Sequence, residues 1–130
     1  MADTDDIRRI AAMLPQTTVS DDGLGMSVVN NGKEKGIVWM WTERVGAKRP
    51  RVPHPDVVAV RVPHNADKEM LIAASPEIYF TEPHYNGFPA VLVRLSAIEP
   101  DELEELLIDG WRTLAPKALV KQFDATQGPA

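Results

Sequence analysis

The side chains best suited to chemistry in this sequence are cations. Arg44, Lys48, Arg49 and Arg51 crowd one short stretch, 43–56, that also holds Pro50, Pro53 and Pro55, and Arg61 follows soon after. Clustered guanidinium and ammonium groups attract phosphates, and prolines hold a loop extended. Between two strands such a segment makes a plausible wing that contacts DNA. The competing reading is a solvated loop offsetting acidic neighbours, since the chain carries a formal net charge of -5.

Aromatic residues form the second constellation. Trp39 and Trp41 alternate within one apolar run, and Tyr79, Phe80, Tyr85 and Phe88 surround a turn that also carries His84. Trp39, Trp41, Tyr79, His84, Tyr85 and Phe88 are the candidate residues for a protein or small-ligand partner. Core packing is the simpler fate of Trp39, Trp41 and Trp111, because indoles bury large apolar areas.

Other residue types point away from catalysis and metals. His54, His64 and His84 each follow a proline, and none shows the His-x-x-x-His spacing of a helical metal site. No metal site is expected. Glu102, Glu105 and Asp109 fall on one face of a helix; such a run is ordinarily a solvated helix start, and weak cation binding is the alternative. Ser20, Ser27, Ser75 and Ser96 stand in no nucleophile-elbow context, and Gly23-Leu24-Gly25 lacks the third glycine of a phosphate-binding loop. The sequence therefore offers no catalytic residue and implies no cofactor.

The elements that position these residues follow from composition and periodicity. A chain of 130 residues with 44% hydrophobic content suits one globular domain, 1–130. With no Cys there are no disulfides and no thiolate chemistry, which fits the cytoplasm. No signal peptide or membrane-spanning run is evident, so a soluble protein is expected.

Asp3 or Thr4 caps a first helix with Ile7, Ile10, Ala11 and Leu14 on its apolar stripe, and Pro15 stops it. Residues 16–23 read as a polar loop. Met26–Val29 and Gly36–Thr42 flank Asn30-Asn31-Gly32-Lys33, a strong hairpin signal. Ile37, Trp39 and Trp41 are expected on one face of the second strand, with Val38 and Met40 on the other.

Val57–Val62 alternates Val58, Val60 and Val62 against Val57, Ala59 and Arg61. Asn65 caps a short helix over Ala66–Ala74, whose expected buried residues are Met70, Ala73 and Ala74. Glu77–Phe80 suits a short edge strand, and Ala90–Leu95 is the next strand.

The final helix begins at Pro100, with acids crowding its N-terminal half and Arg112 and Lys117 near its end, as the helix dipole prefers. Leu103, Leu106, Leu107, Trp111 and Leu114 share its stripe. Residues 124–130 are expected to fray. The fold class is α+β: an antiparallel sheet of about five strands, terminal helices on one face, and one short middle helix.

The run Ser75-Pro76-Glu77-Ile78-Tyr79-Phe80-Thr81-Glu82-Pro83-His84-Tyr85-Asn86-Gly87-Phe88-Pro89-Ala90-Val91-Leu92-Val93-Arg94-Leu95 resembles the MmcQ/YjbR family of small bacterial proteins. The likeness continues through Trp111-Arg112 and Ala115-Pro116-Lys117, and Lys68-Glu69-Met70-Leu71 fits it too. The sequence departs from the family pattern at Gly32-Lys33-Glu34-Lys35-Gly36, where charges and a second glycine replace the usual aromatic. The resemblance implies a frataxin/CyaY-like α+β fold and, because members are often labelled so, DNA binding. It brings no catalytic residues. The expectation is a non-catalytic DNA-binding module using Arg44, Lys48, Arg49, Arg51 and Arg61. The alternative is a protein- or small-ligand-binding module using the aromatic 79–88 turn.

Overall fold

A computed structural model of the chain describes residues 1–44, 51–85 and 87–127. Its strands are β1 (Thr17–Val19), β2 (Met26–Asn30), β3 (Lys33–Arg44), β4 (Arg51–Arg61), β5 (Tyr79–Phe80) and β6 (Ala90–Arg94). They form one six-stranded sheet in the order β1-β2-β3-β4-β6-β5, with every neighbouring pair antiparallel. The helices are α1 (Thr4–Met13), α2 (Asn65–Ala74), α3 (Pro100–Leu114) and α4 (Lys117–Gln127). The architecture is the expected α+β one, with the sheet larger by one strand and a fourth helix added. Among the described residues, no helix is long and apolar enough to cross a membrane.

Local chemistry sets most element ends. Asp3 caps α1: its carboxylate accepts the N–H of Asp5 and Asp6, while Asp6 accepts the N–H of Asp3. Asn31 and Gly32 both take positive φ, 57° and 78°, and form the tight turn between β2 and β3. The charged residues after that turn stay in register, with Asn30 opposite Lys33 and Val29 opposite Glu34.

Four local expectations need correction. Residues 17–19, read as loop, form edge strand β1, since Thr17 and Thr18 pair with Val28 and Ser27. The region 43–56, read as loop throughout, is strand up to Arg44 and from Arg51, with Thr42 opposite Pro53. Proline is tolerated there because β6 pairs with β4 only over Val57–Arg61, leaving the edge before it free. Residues 124–127, expected to fray, belong to α4. Pro116 ends the α3 segment, and buried Phe123 then packs on Trp111 with ring centroids 5.0 Å apart. Helix α2 turns a different face inward: Lys68 is buried with Leu71 and Ile72 partly so, while Met70 is 69% exposed.

Ile37 also departs from simple alternation. Met26 pairs with Val38 but Ser27 pairs with Gly36, so Ile37 is the extra residue of a bulge. Both Ile37 and Val38 thereby enter the core beneath the helices, and Trp39 and Trp41 are left on the opposite face.

That main core joins Ile7, Ile10, Val58, Val60, Val91, Val93, Leu103, Leu107 and Trp111. Helix α3 approaches the sheet closely at Gly110. A Cβ there would lie 2.8 Å from the Arg61 carbonyl oxygen and 3.0 Å from Ile37 Cγ2. The Trp111 indole N–H donates to the Pro15 carbonyl at 3.2 Å, tying α3 to the end of α1.

Candidate functional site

Among the described residues, the opposite sheet face carries no α-helix. Alternation along β4 sends Val57, Ala59 and Arg61 there, and Leu92 and Arg94 join them from β6. Val57, Ala59 and Leu92 form a small buried floor, and Trp39, Trp41, Phe80 and Tyr85 pack on it, partly exposed.

The turn 81–88 crosses this face. A 3-10 turn, Pro83–Tyr85, brings the Tyr85 hydroxyl to the Trp39 indole N–H, which donates to it at 3.3 Å. Phe88 meets Trp39 edge-on at 6.3 Å, and Phe80 meets Trp41 the same way at 5.7 Å. Such edge-to-face pairs match the electron-poor ring edge to the electron-rich face.

Two guanidinium groups lie over these rings. Arg94 sits 4.1 Å above the Phe80 ring centroid, and Arg61 sits 5.8 Å from that of Phe88. Cation–π attraction places planar cations and aromatic surface side by side. Phe88 is 44% exposed, the most open ring of the group.

The turn is fastened from the helical side. Lys68, only 5% exposed, donates to the carbonyls of Tyr85 at 2.6 Å and Phe88 at 3.2 Å. The Asn65 amide donates to the Gly87 carbonyl at 3.0 Å. Asn65 thus holds the turn, and the start of α2 is met by Asp67, whose carboxylate accepts the His64 N–H at 3.1 Å. Burial pushes the Lys68 ammonium below its usual pKa, with Glu69 opposing weakly. An opening of about 270 Å³ lies beside it, lined by Asn65, Lys68, Glu69, Ile72, Thr81 and Gly87.

The structure gathers Trp39, Trp41, Tyr85, Phe88 and Arg61 on one face. It separates Tyr79 from them: that ring is 1% exposed and belongs to the helix-side core. Arg44 and Arg51 face each other across the far end of the β3–β4 pair. Lys48 and Arg49 lie outside the described residues, as do the side chains of Arg44, Arg51 and His84.

Sequence reasoning passed over Lys68 and Arg94. Arg94 was open to discovery, because it shares the alternation of Leu92 and lies diagonal to Phe80 across β5–β6. Lys68 was marked only through the family likeness of Lys68-Glu69-Met70-Leu71, with no role, since a lysine on a short helix is ordinarily solvated. Among the described residues, no group of three or more His, Asp or Glu side chains could hold a metal ion.

No protein-family model matches the chain. It is 40% identical over 131 residues to the uncharacterised protein Rv2570 of Mycobacterium tuberculosis, with 98% of this chain and 100% of that protein covered. The same figures, 40% over 131 residues, hold for the uncharacterised proteins MT2646 of Mycobacterium tuberculosis and Mb2600 of Mycobacterium bovis. Among solved structures, the Deinococcus radiodurans protein DR2400, a DUF419 domain, superposes with a TM-score of 0.63 at 22% identity. That superposition covers 95% of this chain and 88% of the other, and it shows a shared fold.

Proposed function

We propose that this chain, which belongs to the family of the uncharacterised mycobacterial proteins Rv2570, MT2646 and Mb2600, is a non-catalytic module that binds single-stranded nucleic acid on its helix-free sheet face. One observation carries the reading: Arg94 and Arg61 lie over Phe80 and Phe88 on the same face as Trp39 and Trp41. Bases stack on exposed rings and on guanidinium planes, while the same cations meet phosphates. Duplex DNA hides its base faces in the stack, so a ring platform favours a single strand. Arg44, Lys48, Arg49 and Arg51, clustered in the sequence after Trp41, would supply further cations for phosphates. The chain is read as MmcQ/YjbR-like; its 75–95 run and the fold shared with the DUF419 protein support this. A cytoplasmic location suits this role and a chain without Cys.

The test is a titration of short oligothymidylate, followed by tryptophan fluorescence. Binding at low salt should weaken steeply as salt rises. Phe88→Ala and Arg94→Ala should each weaken it by about 1–3 kcal/mol, the range for base–aromatic stacking. Arg49→Ala with Arg51→Ala should reduce the salt dependence. Absence of binding at low salt with micromolar protein rejects the proposal. The exposed Phe88 beside the Lys68 opening would then favour a protein or small-ligand partner at the 79–88 turn.

A further inference from the structure

The opening beside Lys68 adjoins the ring platform without belonging to it. Its volume is about 270 Å³, room for one planar base. Helix α2 supplies one wall with Asn65, Lys68, Glu69 and Ile72, and the 81–88 turn supplies the other with Thr81 and Gly87. The exposed ring of Phe88 follows Gly87 directly. A base next to one stacked on Phe88 is therefore within reach of the mouth.

The polar groups of the α2 wall are only half used. The Asn65 amide donates one N–H to the Gly87 carbonyl at 3.0 Å and keeps a second. Glu69, exposed, forms no ion pair among the described residues. These residues stand at i and i+4 of α2, so donor and carboxylate lie side by side on one helix face. The Lys68 ammonium, held by the Tyr85 and Phe88 carbonyls, adds positive charge to the same wall. Partly buried Ile72 offers an apolar surface. Gly87 offers a bare one, for a Cβ built there meets nothing within 4 Å.

A flat ligand that matches this wall presents one acceptor beside two donors. Guanine carries O6, N1–H and the 2-amino group in that order along its pairing edge. O6 accepts from Asn65, while N1–H and the 2-amino group donate to the two oxygens of Glu69. Adenine and cytosine offer a single amino group beside a ring acceptor, and thymine a single N–H between two carbonyls. Each leaves a carboxylate oxygen unmatched. A phosphate is repelled by the Glu69 charge.

We infer that the opening between α2 and the 81–88 turn binds a guanine base, its edge read by Asn65 and Glu69 and its face against Ile72 and Gly87. For a guanine within a strand this rests on the sheet-face reading and adds base preference to it. A free guanine nucleotide is the other source of the same chemistry.

Octathymidylate and the same strand with one internal dG, dI or dA are each titrated into the full chain and followed by tryptophan fluorescence. The dG strand should bind about tenfold more tightly than octathymidylate, within the range for a bidentate base contact. The dI strand lacks the 2-amino group and should bind about threefold more weakly than the dG strand; the dA strand should match octathymidylate. Glu69→Gln, at an exposed helical position, keeps the fold and should bring the ratio of dG-strand to octathymidylate affinity close to unity. Equal binding of all strands, or a dG preference that survives Glu69→Gln, overturns the inference and leaves the sheet-face reading standing. Binding of no strand rejects the sheet-face reading, and guanosine monophosphate then decides the site. Its binding to the parent chain, weakened in Glu69→Gln, upholds a guanine site filled by a free nucleotide; its failure to bind overturns the inference as well.

Discussion

Lys68 pairs a buried ammonium with two backbone carbonyls and no carboxylate within ion-pair distance among the described residues. Burying a charge is costly unless hydrogen bonds replace its water, and the Tyr85 and Phe88 carbonyls do so here. The same two bonds hold the turn that carries Tyr85 and Phe88 across the sheet. Lys68→Met should therefore leave two carbonyls unanswered, cost about 1–3 kcal/mol, and weaken oligonucleotide binding as the turn loosens. Denaturant unfolding and the fluorescence titration measure the two effects separately. The pH dependence has a definite sign. Burial lowers the folded pKa below the ordinary lysine value of 10.5, so the unfolded chain holds more protons between the two values. Stability then rises with pH through that window. The neutral amine still has enough N–H groups for both carbonyls. Urea midpoints should rise less with pH in Lys68→Met than in the parent chain as pH climbs towards the ordinary lysine range.

At the scale of elements, two glycines make opposite demands. Gly110 lets α3 approach β4, and a Cβ there would meet backbone oxygen at 2.8 Å, which cannot swing aside. Gly110→Ala should destabilise by about 1–3 kcal/mol through overpacking, despite a gain in helix propensity of up to about 1 kcal/mol. Gly32 has nothing within 4 Å of a built Cβ, but its φ is +78°. Gly32→Ala should cost about 1–2 kcal/mol for conformation alone. Equilibrium unfolding in urea checks both. If the Gly110→Ala cost is absent, α3 does not sit on the Arg61 carbonyl. The bulge at Ile37 shows how one added residue reassigns side chains: it commits Ile37 to the helix side and leaves the two indoles of β3 on the other.

Across the whole molecule the sheet separates two chemistries. Cations and rings occupy the sheet face that carries no α-helix among the described residues, while the carboxylates of Glu102, Glu105 and Asp109 border the groove between α2 and α3. The overall charge of -5 conceals this division. Sites with no shared partners act nearly independently. Glu102→Gln with Glu105→Gln should leave oligothymidylate affinity at moderate salt within about 0.5 kcal/mol of the parent. The fluorescence titration measures this; a large effect would mean that the two faces communicate.

The residues alone determined several features because their causes are local. Asn31-Gly32 supplies the only backbone chemistry its turn needs, Asp3 and Asp6 cap α1 reciprocally, and the α3 stripe follows helical spacing onto Leu103, Leu107 and Trp111. Alternation likewise set Arg61 apart from Val60 before any contact was known. The tertiary structure decided the rest because the deciding partners are distant in the chain. Tyr79 belongs to the core only through the edge on which its two-residue strand pairs. Lys68 turns inward only because the carbonyls of Tyr85 and Phe88 arrive there, and Pro116 splits off a final helix whose Phe123 needs Trp111 already in place. Spacing along a chain encodes which face a side chain shares with its neighbours; which partner waits on that face is fixed only when distant segments meet.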